Sequence, residues 1–294
     1  MNKAALIDLI RKSVANNIPF ALGKIGFSEQ IILNYPIQLS KDISAIQRSA
    51  FERVYRYHAE VQTGIFPSDT AFLKKFSSFY SEKISQLDVV GVFGAKQEAE
   101  ILAFHSINAS SIKYIDTEPD RSIPSNEELC YLPFFSNKKV LLISPFASLL
   151  KGRSKKKLFE KVWKKTGKQW FNPSNVEALE IPYSYGTERQ TIQKFGDSLQ
   201  FHKHIIQQMS RIEYDVVLIG VGALGIPIAI EAKKQGKIAF SLGGHLQVLF
   251  GVLGSRWKND AGFMSNYVNE NWIDMPEKYA PSMNKQLTDS GAYW

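Results

Sequence analysis

Two periodicities alternate along the chain. Residues 1–17, MNKAALIDLIRKSVANN, set Leu6, Leu9, Ile10 and Val14 on one face of a helix. Asp8, Arg11 and Lys12 interrupt the segment, so it lacks the unbroken apolar stretch of a signal peptide. PFALGKIG, Pro19 to Gly26, reads as a strand running into a glycine turn. A long helical zone follows, in which Ile43 to Val61 carries aliphatic and aromatic residues at helical spacing. TGIFPSD breaks the pattern, and Thr70 to Leu87 resumes it with Phe72, Phe76, Phe79 and Tyr80. Ser68 or Asp69 is placed to cap that second helix.

From Asp88 short apolar runs alternate with helical segments. LDVVGVFG, AKQEAEILAFHSI and IKYID read as strand, helix, strand. KKVLLISPF, a basic helix, ALEIPYSY, a helix from about Glu188 to Met209, YDVVLIGVG, a helix from Ala223 to Lys234, and KIAFSLGG continue the series. Alternation of this kind predicts an α/β fold, a doubly wound and mainly parallel Rossmann-like sheet, with an N-terminal helical region. The expected organisation is a strand-turn motif and helical region over 1–87, packed onto the same body, an α/β core over 88–257, and a tail over 258–294. The tail is irregular but keeps Trp272, Tyr279 and Trp294, which implies that it packs on the core.

Composition narrows the class. With 294 residues, 44% of them hydrophobic, the chain can bury a sizeable core. Its single cysteine, Cys130, cannot form an intrachain disulfide, and no Cys/His cluster has zinc spacing, which points to a reducing compartment and a cytoplasmic protein. No run approaches the ~18 apolar residues of a membrane span. The net charge of +8 favours acidic ligands, and the charge is uneven: Lys151 to Lys168 holds nine basic residues and one acid, Glu160. Leu158, Phe159, Val162 and Trp163 recur at helical spacing inside that run. It is either a basic amphipathic helix that meets the inner membrane surface through Lys151, Arg153, Lys155, Lys156 and Lys157, or a solvated helix whose apolar stripe packs inward.

Four segments carry candidate chemistry. In DVVLIGVGALGIPIAIEAKKQGK, Gly220, Gly222 and Gly225 stand between a strand and a helix at G-x-G-x-x-G spacing, where backbone can approach a phosphate. The next strand ends in Gly243, Gly244 and His245, followed by Gln247, and not in the acid that holds a dinucleotide ribose. These two loops are expected to line one crevice as nucleotide-binding elements, His245 or Gln247 touching phosphate or sugar. The glycines also suit tight strand-helix packing alone. GKIGFSEQ places Lys24, Gly26, Ser28 and Glu29 just past the first strand, with Lys24 and Glu29 five residues apart. A cation and a carboxylate at a strand exit can hold a diphosphate, bind a metal or supply a base, and a surface ion pair explains them equally well. Ser144 and Ser148 offer a hydroxyl-bearing loop whose plainer role is helix capping.

Taken together, KIGFSE, TGIFP, KKVLLISPF, GVGALGIPIAIEAKKQGK, LGGHLQVLFGVLGSRW, YVNENW and the terminal GAYW resemble a family of bacterial proteins of cell-surface polysaccharide biosynthesis with the GT-D glycosyltransferase fold. The resemblance implies a nucleotide-sugar donor and a glycan or lipid-linked acceptor. It also implies a divalent cation, Mn or Mg, held near an R-x-G-D-G-E pattern. Here Lys24 stands for the Arg, Gly26 for the first Gly, Phe27 for the Asp, Ser28 for the second Gly and Glu29 for the Glu. Glu29 is then the catalytic candidate and the carboxylate left for a metal. Asp116 and Glu118 in YIDTEPD form a second acid pair, and the family's His-Pro-Phe is Ser144-Pro145-Phe146. An NAD(P)-dependent oxidoreductase using the same glycine turn, or a non-catalytic binder of a polyanion, are the rival readings. Nucleic acid is not the expected partner.

Overall fold

The structure is a computed structural model and describes residues 1–118, 131–168, 170–185, 188–281 and 285–294. Cys130 lies outside the described residues. A single seven-stranded parallel sheet organises the chain: β1 (Phe20–Lys24), β2 (Val89–Val92), β3 (Ser110–Lys113), β4 (Lys139–Ser144), β5 (Asn175–Glu180), β6 (Val216–Ile219) and β7 (Ile238–Ser241), in the spatial order β3-β2-β1-β7-β6-β4-β5. The chain starts in the middle and builds outward through β2 and β3. It then crosses to the far side for β4 and β5 and returns through β6 to lay β7 beside β1, with Ala21 opposite Ala239.

The central strands are apolar at nearly every position because both faces are covered. Leu22, Val140, Leu142, Val216, Leu218 and Phe240 point into one core. Helix α1 (Lys3–Ala15), with α6 (Ala147–Arg153), α7 (Lys156–Val162) and the C-terminal segments, closes that face. Ala21, Val90, Leu141, Ile143, Val217, Ile219 and Ala239 point into the other. Over it lie α2 (Phe27–Leu39), α4 (Thr70–Ile84), α5 (Lys96–Phe104), α9 (Ser198–Met209) and α10 (Gly225–Lys234). The doubly wound parallel architecture expected from the alternation is the one observed.

Several boundaries differ from the sequence reading, each for a local reason. Helix α3 spans Ala45–Tyr57, started by a Ser44/Gln47 capping box, and gives way to a π-helical turn over His58–Thr63 that Gly64 ends at φ +72°. Asp69 and not Ser68 caps α4, accepting from the Phe72 amide. Strand pairing after α5 stops at Lys113, and Tyr114–Thr117 forms a 3₁₀ turn that takes up Tyr114 to Asp116, the end of the expected strand IKYID. Likewise β5 ends at Glu180, so Ile181 to Tyr185 leave the sheet. The helix expected from Glu188 to Met209 is two, α8 (Arg189–Phe195) and α9, because Gly196 at φ +72° ends the first and the Asp197 side chain caps the second. The G-x-G-x-x-G segment enters α10 through a 3₁₀ turn over Gly222–Leu224.

The basic run is also two helices, α6 and α7, parted at Ser154. Phe159, Val162 and Trp163 are fully buried, so the apolar stripe packs inward. Arg153 is buried as well, donating to the carbonyls of Phe250, Gly251 and Asn271, which removes it from the surface group expected to meet a membrane. Beyond α11 (His245–Leu249), the tail adds a parallel pair, β8 (Val252–Leu253) with β9 (Ile273–Asp274), and α12 (Ser255–Lys258) and α13 (Ala261–Asn266). Trp272 donates its indole N–H to Val162 O at 2.9 Å, tying the tail to α7. Among the described residues no helix is long and apolar enough to cross a membrane.

Candidate functional site

Parallel strands end on the same side, and the segments that follow all seven converge on one cleft of about 720 Å³. Lys24 ends β1, and Phe93, Glu118, Phe146, Tyr185, Gly222 and Gly243 follow β2 to β7 in turn. Ligands of open α/β sheets bind outside the carboxyl strand ends.

The floor of the cleft is a buried charge cluster. Lys24 and Glu118 are 8% and 2% exposed, and the Lys24 ammonium lies 3.2 Å from Glu118 Oε1 and 4.6 Å from the centre of the Tyr114 ring. His245 Nε2–H donates to the same Glu118 oxygen at 2.7 Å. Two basic groups from β1 and the start of α11 therefore share one carboxylate carried past β3. Such a cluster is stable in a low-dielectric setting only while its partners remain together.

Glu29 lies in the first turn of α2, whose N-cap, Gly26, has no side chain to offer the free amides. Its carboxylate folds back over Gly26, where a Cβ would collide with Glu29 Oε2. Burial raises the Glu29 carboxyl above its ordinary value of 4.5, and a hydrogen bond from its own amide and the nearby Lys24 charge oppose this without cancelling it. The phenols of Tyr80, Tyr114, Tyr185 and Tyr293 are pushed up mainly by burial and further by the Glu29 charge. Glu29 thus stands half-buried at a helix N-terminus and in the cleft wall at once. Beside it, Ser28 Oγ is 3.0 Å from His58 Nδ1, and burial lowers the His58 pKa.

The two glycine turns lie side by side at the ends of β6 and β7. Gly220, Gly222, Gly243, Gly244, His245 and Gln247 line the cleft with Lys24, Gly26, Ser28 and Glu29, and Gly225 does not. Much of the glycine requirement comes from the protein itself. A Cβ at Gly220 would stand 2.9 Å from Gly243 O, and one at Gly225 would strike Ser241 Oγ. Gly243 is different: its φ is +58° and the nearest atom to a Cβ would be Lys24 Cε at 3.9 Å, leaving its backbone open toward the cleft. Gln247 donates to Tyr293 O at 3.0 Å and so anchors the C-terminal residues. Ser144 accepts from the Phe146 amide and Ser148 donates to the Glu180 carboxylate at the end of β5; neither caps α6, whose N-cap is Phe146, and neither lines the cleft.

The walls come from aromatic residues that the sequence patterns did not single out as site residues. Tyr114 stacks on exposed Phe93 with ring centres 4.3 Å apart. Tyr183, Tyr185 and Trp294 pack together on the other side, and the Arg256 guanidinium lies 5.1 Å over the Tyr293 ring. Glu118 was visible only as half of an acid pair, and Asp116, its companion there, does not line the cleft.

A divalent cation finds no matching donor set among the described residues. Among the described residues no three His, Cys, Asp or Glu side chains are grouped to hold a metal ion. Of the two Asp or Glu side chains that line the cleft among the described residues, Glu118 is engaged by Lys24 and His245, which leaves Glu29. Compared with family models, curated proteins and solved structures, the chain returned no match.

Proposed function

We propose that the protein is a glycosyltransferase that takes a nucleotide-sugar donor into this cleft and passes the sugar to a hydroxyl of a glycan or lipid-linked acceptor in bacterial cell-surface polysaccharide biosynthesis. One observation carries the reading: the Gly243-Gly244 turn, the Lys24–Glu118–His245 cluster and the Glu29 carboxylate line the same cleft at the strand ends. In transfer, the acceptor oxygen bonds to the anomeric carbon, the bond from that carbon to the donor phosphate breaks, and the acceptor proton goes to Glu29. The raised Glu29 pKa makes it a stronger base than an exposed carboxylate. The charge developing on the leaving phosphate falls to the Gly244 backbone N–H, with Lys24 and Arg256, because the Gly243 N–H already donates to Ile219 O at 3.2 Å. Stacked Tyr114 and Phe93 offer a surface for a planar base or a sugar face.

The oxidoreductase reading lacks a residue it needs. Leu242, Gly243 and Gly244 follow β7, where an acid would hold a dinucleotide ribose. A thermal-shift panel of nucleotide sugars and NAD(P)H, each with and without manganese, is the test. Stabilisation by a nucleotide sugar, followed by release of its nucleotide with acceptor present, is the expected result. Stabilisation by NAD(P)H alone would replace the reading with a dehydrogenase.

A further inference from the structure

Helix α3 presents an apolar stripe outward. Of its side chains only Tyr55 is buried, while Ile46 is 83%, Val54 46% and Tyr57 46% exposed. At about 100° per residue, Ile46, Ala50, Val54 and Tyr57 fall within roughly one quarter of the helix circumference, and Arg53 and Arg56 border that stripe on one side. A helix of this length that buries one side chain is marginal by itself, so its apolar face is expected to be covered in the working protein.

Charge indicates by what. Residues 41–57 hold Lys41, Arg48, Arg53 and Arg56 against Asp42 and Glu52, in a chain of net charge +8. A second copy packed stripe to stripe would bring Arg53 and Arg56 against like charges, whereas anionic head groups complement them. The stripe also continues to the cleft. Tyr57 meets His58 edge-on at 5.5 Å, and His58 meets Phe27 at 5.9 Å. Phe27 lines the cleft and is 68% exposed. Gln62, another lining residue, donates to the Tyr57 hydroxyl at 2.9 Å.

We propose that α3 is an interfacial helix that seats Ile46, Ala50, Val54 and Tyr57 in the surface of an anionic bilayer and holds the mouth of the cleft, at Phe27, against that surface. The inference goes beyond sugar transfer and does not depend on it, because membrane binding is measured without turnover.

The test is flotation of the full chain with vesicles of phosphatidylglycerol and phosphatidylethanolamine, compared with phosphatidylcholine alone. Binding is expected to the anionic vesicles and to weaken with salt. Ile46→Asp with Val54→Asp should lower the partition coefficient by about tenfold or more, as loss of inserted apolar area requires. Arg53→Glu with Arg56→Glu should weaken binding as well. Lys155→Glu with Lys157→Glu, on the other basic surface, should change it less. Backbone hydrogen exchange of the unmodified protein should slow across residues 45–57 when anionic vesicles are added. Unchanged exchange there, or an aspartate pair that binds as the wild type does, overturns the proposal. So does a dimer in solution that the aspartate pair converts to monomer, since a second copy would then cover the stripe.

Discussion

Lys24, the last residue of β1, reaches Glu118, just past β3, in an ion pair of 3.2 Å with both side chains at most 5% exposed. Glu118→Gln is expected to lower the free energy of unfolding by about 3–5 kcal/mol, because it leaves the Lys24 charge buried beside a neutral group. Lys24→Met combined with Glu118→Leu should recover part of that loss. Urea denaturation of the three variants measures both effects, and an unchanged midpoint in Glu118→Gln would mean that water reaches the pair.

Glu29 carries the proposed chemistry, and its raised pKa sets a pH signature. Because the carboxyl titrates above 4.5, the acid limb of kcat/KM should lie above that value, activity rising as the base loses its proton. Glu29→Gln should remove that limb and lower turnover by about a hundredfold or more while the fold and most donor affinity persist. A purely helix-capping Glu29 predicts instead a loss of about 1 kcal/mol in stability with turnover nearly unchanged.

The glycine turns separate packing from binding. Gly222 has φ +50°, and a Cβ there would meet Thr63 O at 2.9 Å, so Gly222→Val should destabilise the fold itself. Gly243→Ala makes only an ordinary contact with Lys24 Cε at 3.9 Å, so its cost is mainly that of the positive φ, about 1–2 kcal/mol. With phosphate bound at this turn, the alanine variant should melt as a folded protein and lose about tenfold in nucleotide affinity, roughly 1.4 kcal/mol, as the strained φ shifts the neighbouring Gly244 amide and the new methyl reaches toward Lys24. Unaltered affinity, read by calorimetry, would place the phosphate elsewhere.

His202, buried on α9 with its ring against Phe79, is lowered by burial from 6.5 to about 4. The folded state holds it neutral where the unfolded chain is protonated. Its contribution is therefore fully present above pH 6.5 and is lost as pH falls toward about 4. Between pH 7 and about pH 4.5 the wild type should lose about 2 kcal/mol more stability than His202→Gln, measured by urea denaturation at the two pH values. Parallel pH dependence of the two proteins would assign the acid sensitivity to other groups.

Much of the fold was legible because its signals are local. The apolar runs at β4, β6 and β7 and the periodicity of α1 and α4 depend only on neighbouring residues. Boundaries were lost where one residue's conformation decided them, as at Gly196 between α8 and α9 and at Lys113, where pairing to β2 stops. The glycine turns and Lys24-to-Glu29 were legible as segments, since each follows a strand. Tyr114, Tyr185, Arg256, Tyr293 and Trp294 were not, because their positions follow from how loops meet over the sheet.

What the sequence determined by itself is the set of elements and the α/β class, since strand and helix periods follow from which positions must avoid water. Tertiary structure decided the neighbours. Chain order does not say that β7 returns to lie beside β1, yet that pairing brings Lys24 within reach of Gly243 and, with the turn after β3, joins Lys24 and His245 on one Glu118 oxygen. It also decided direction. The basic run at α6 and α7 and helix α3 both carry apolar stripes, and periodicity cannot say which is covered. Packing buries Phe159 and Trp163 in the core and leaves Ile46 and Val54 facing out, because only the first pair lies over a face of the sheet.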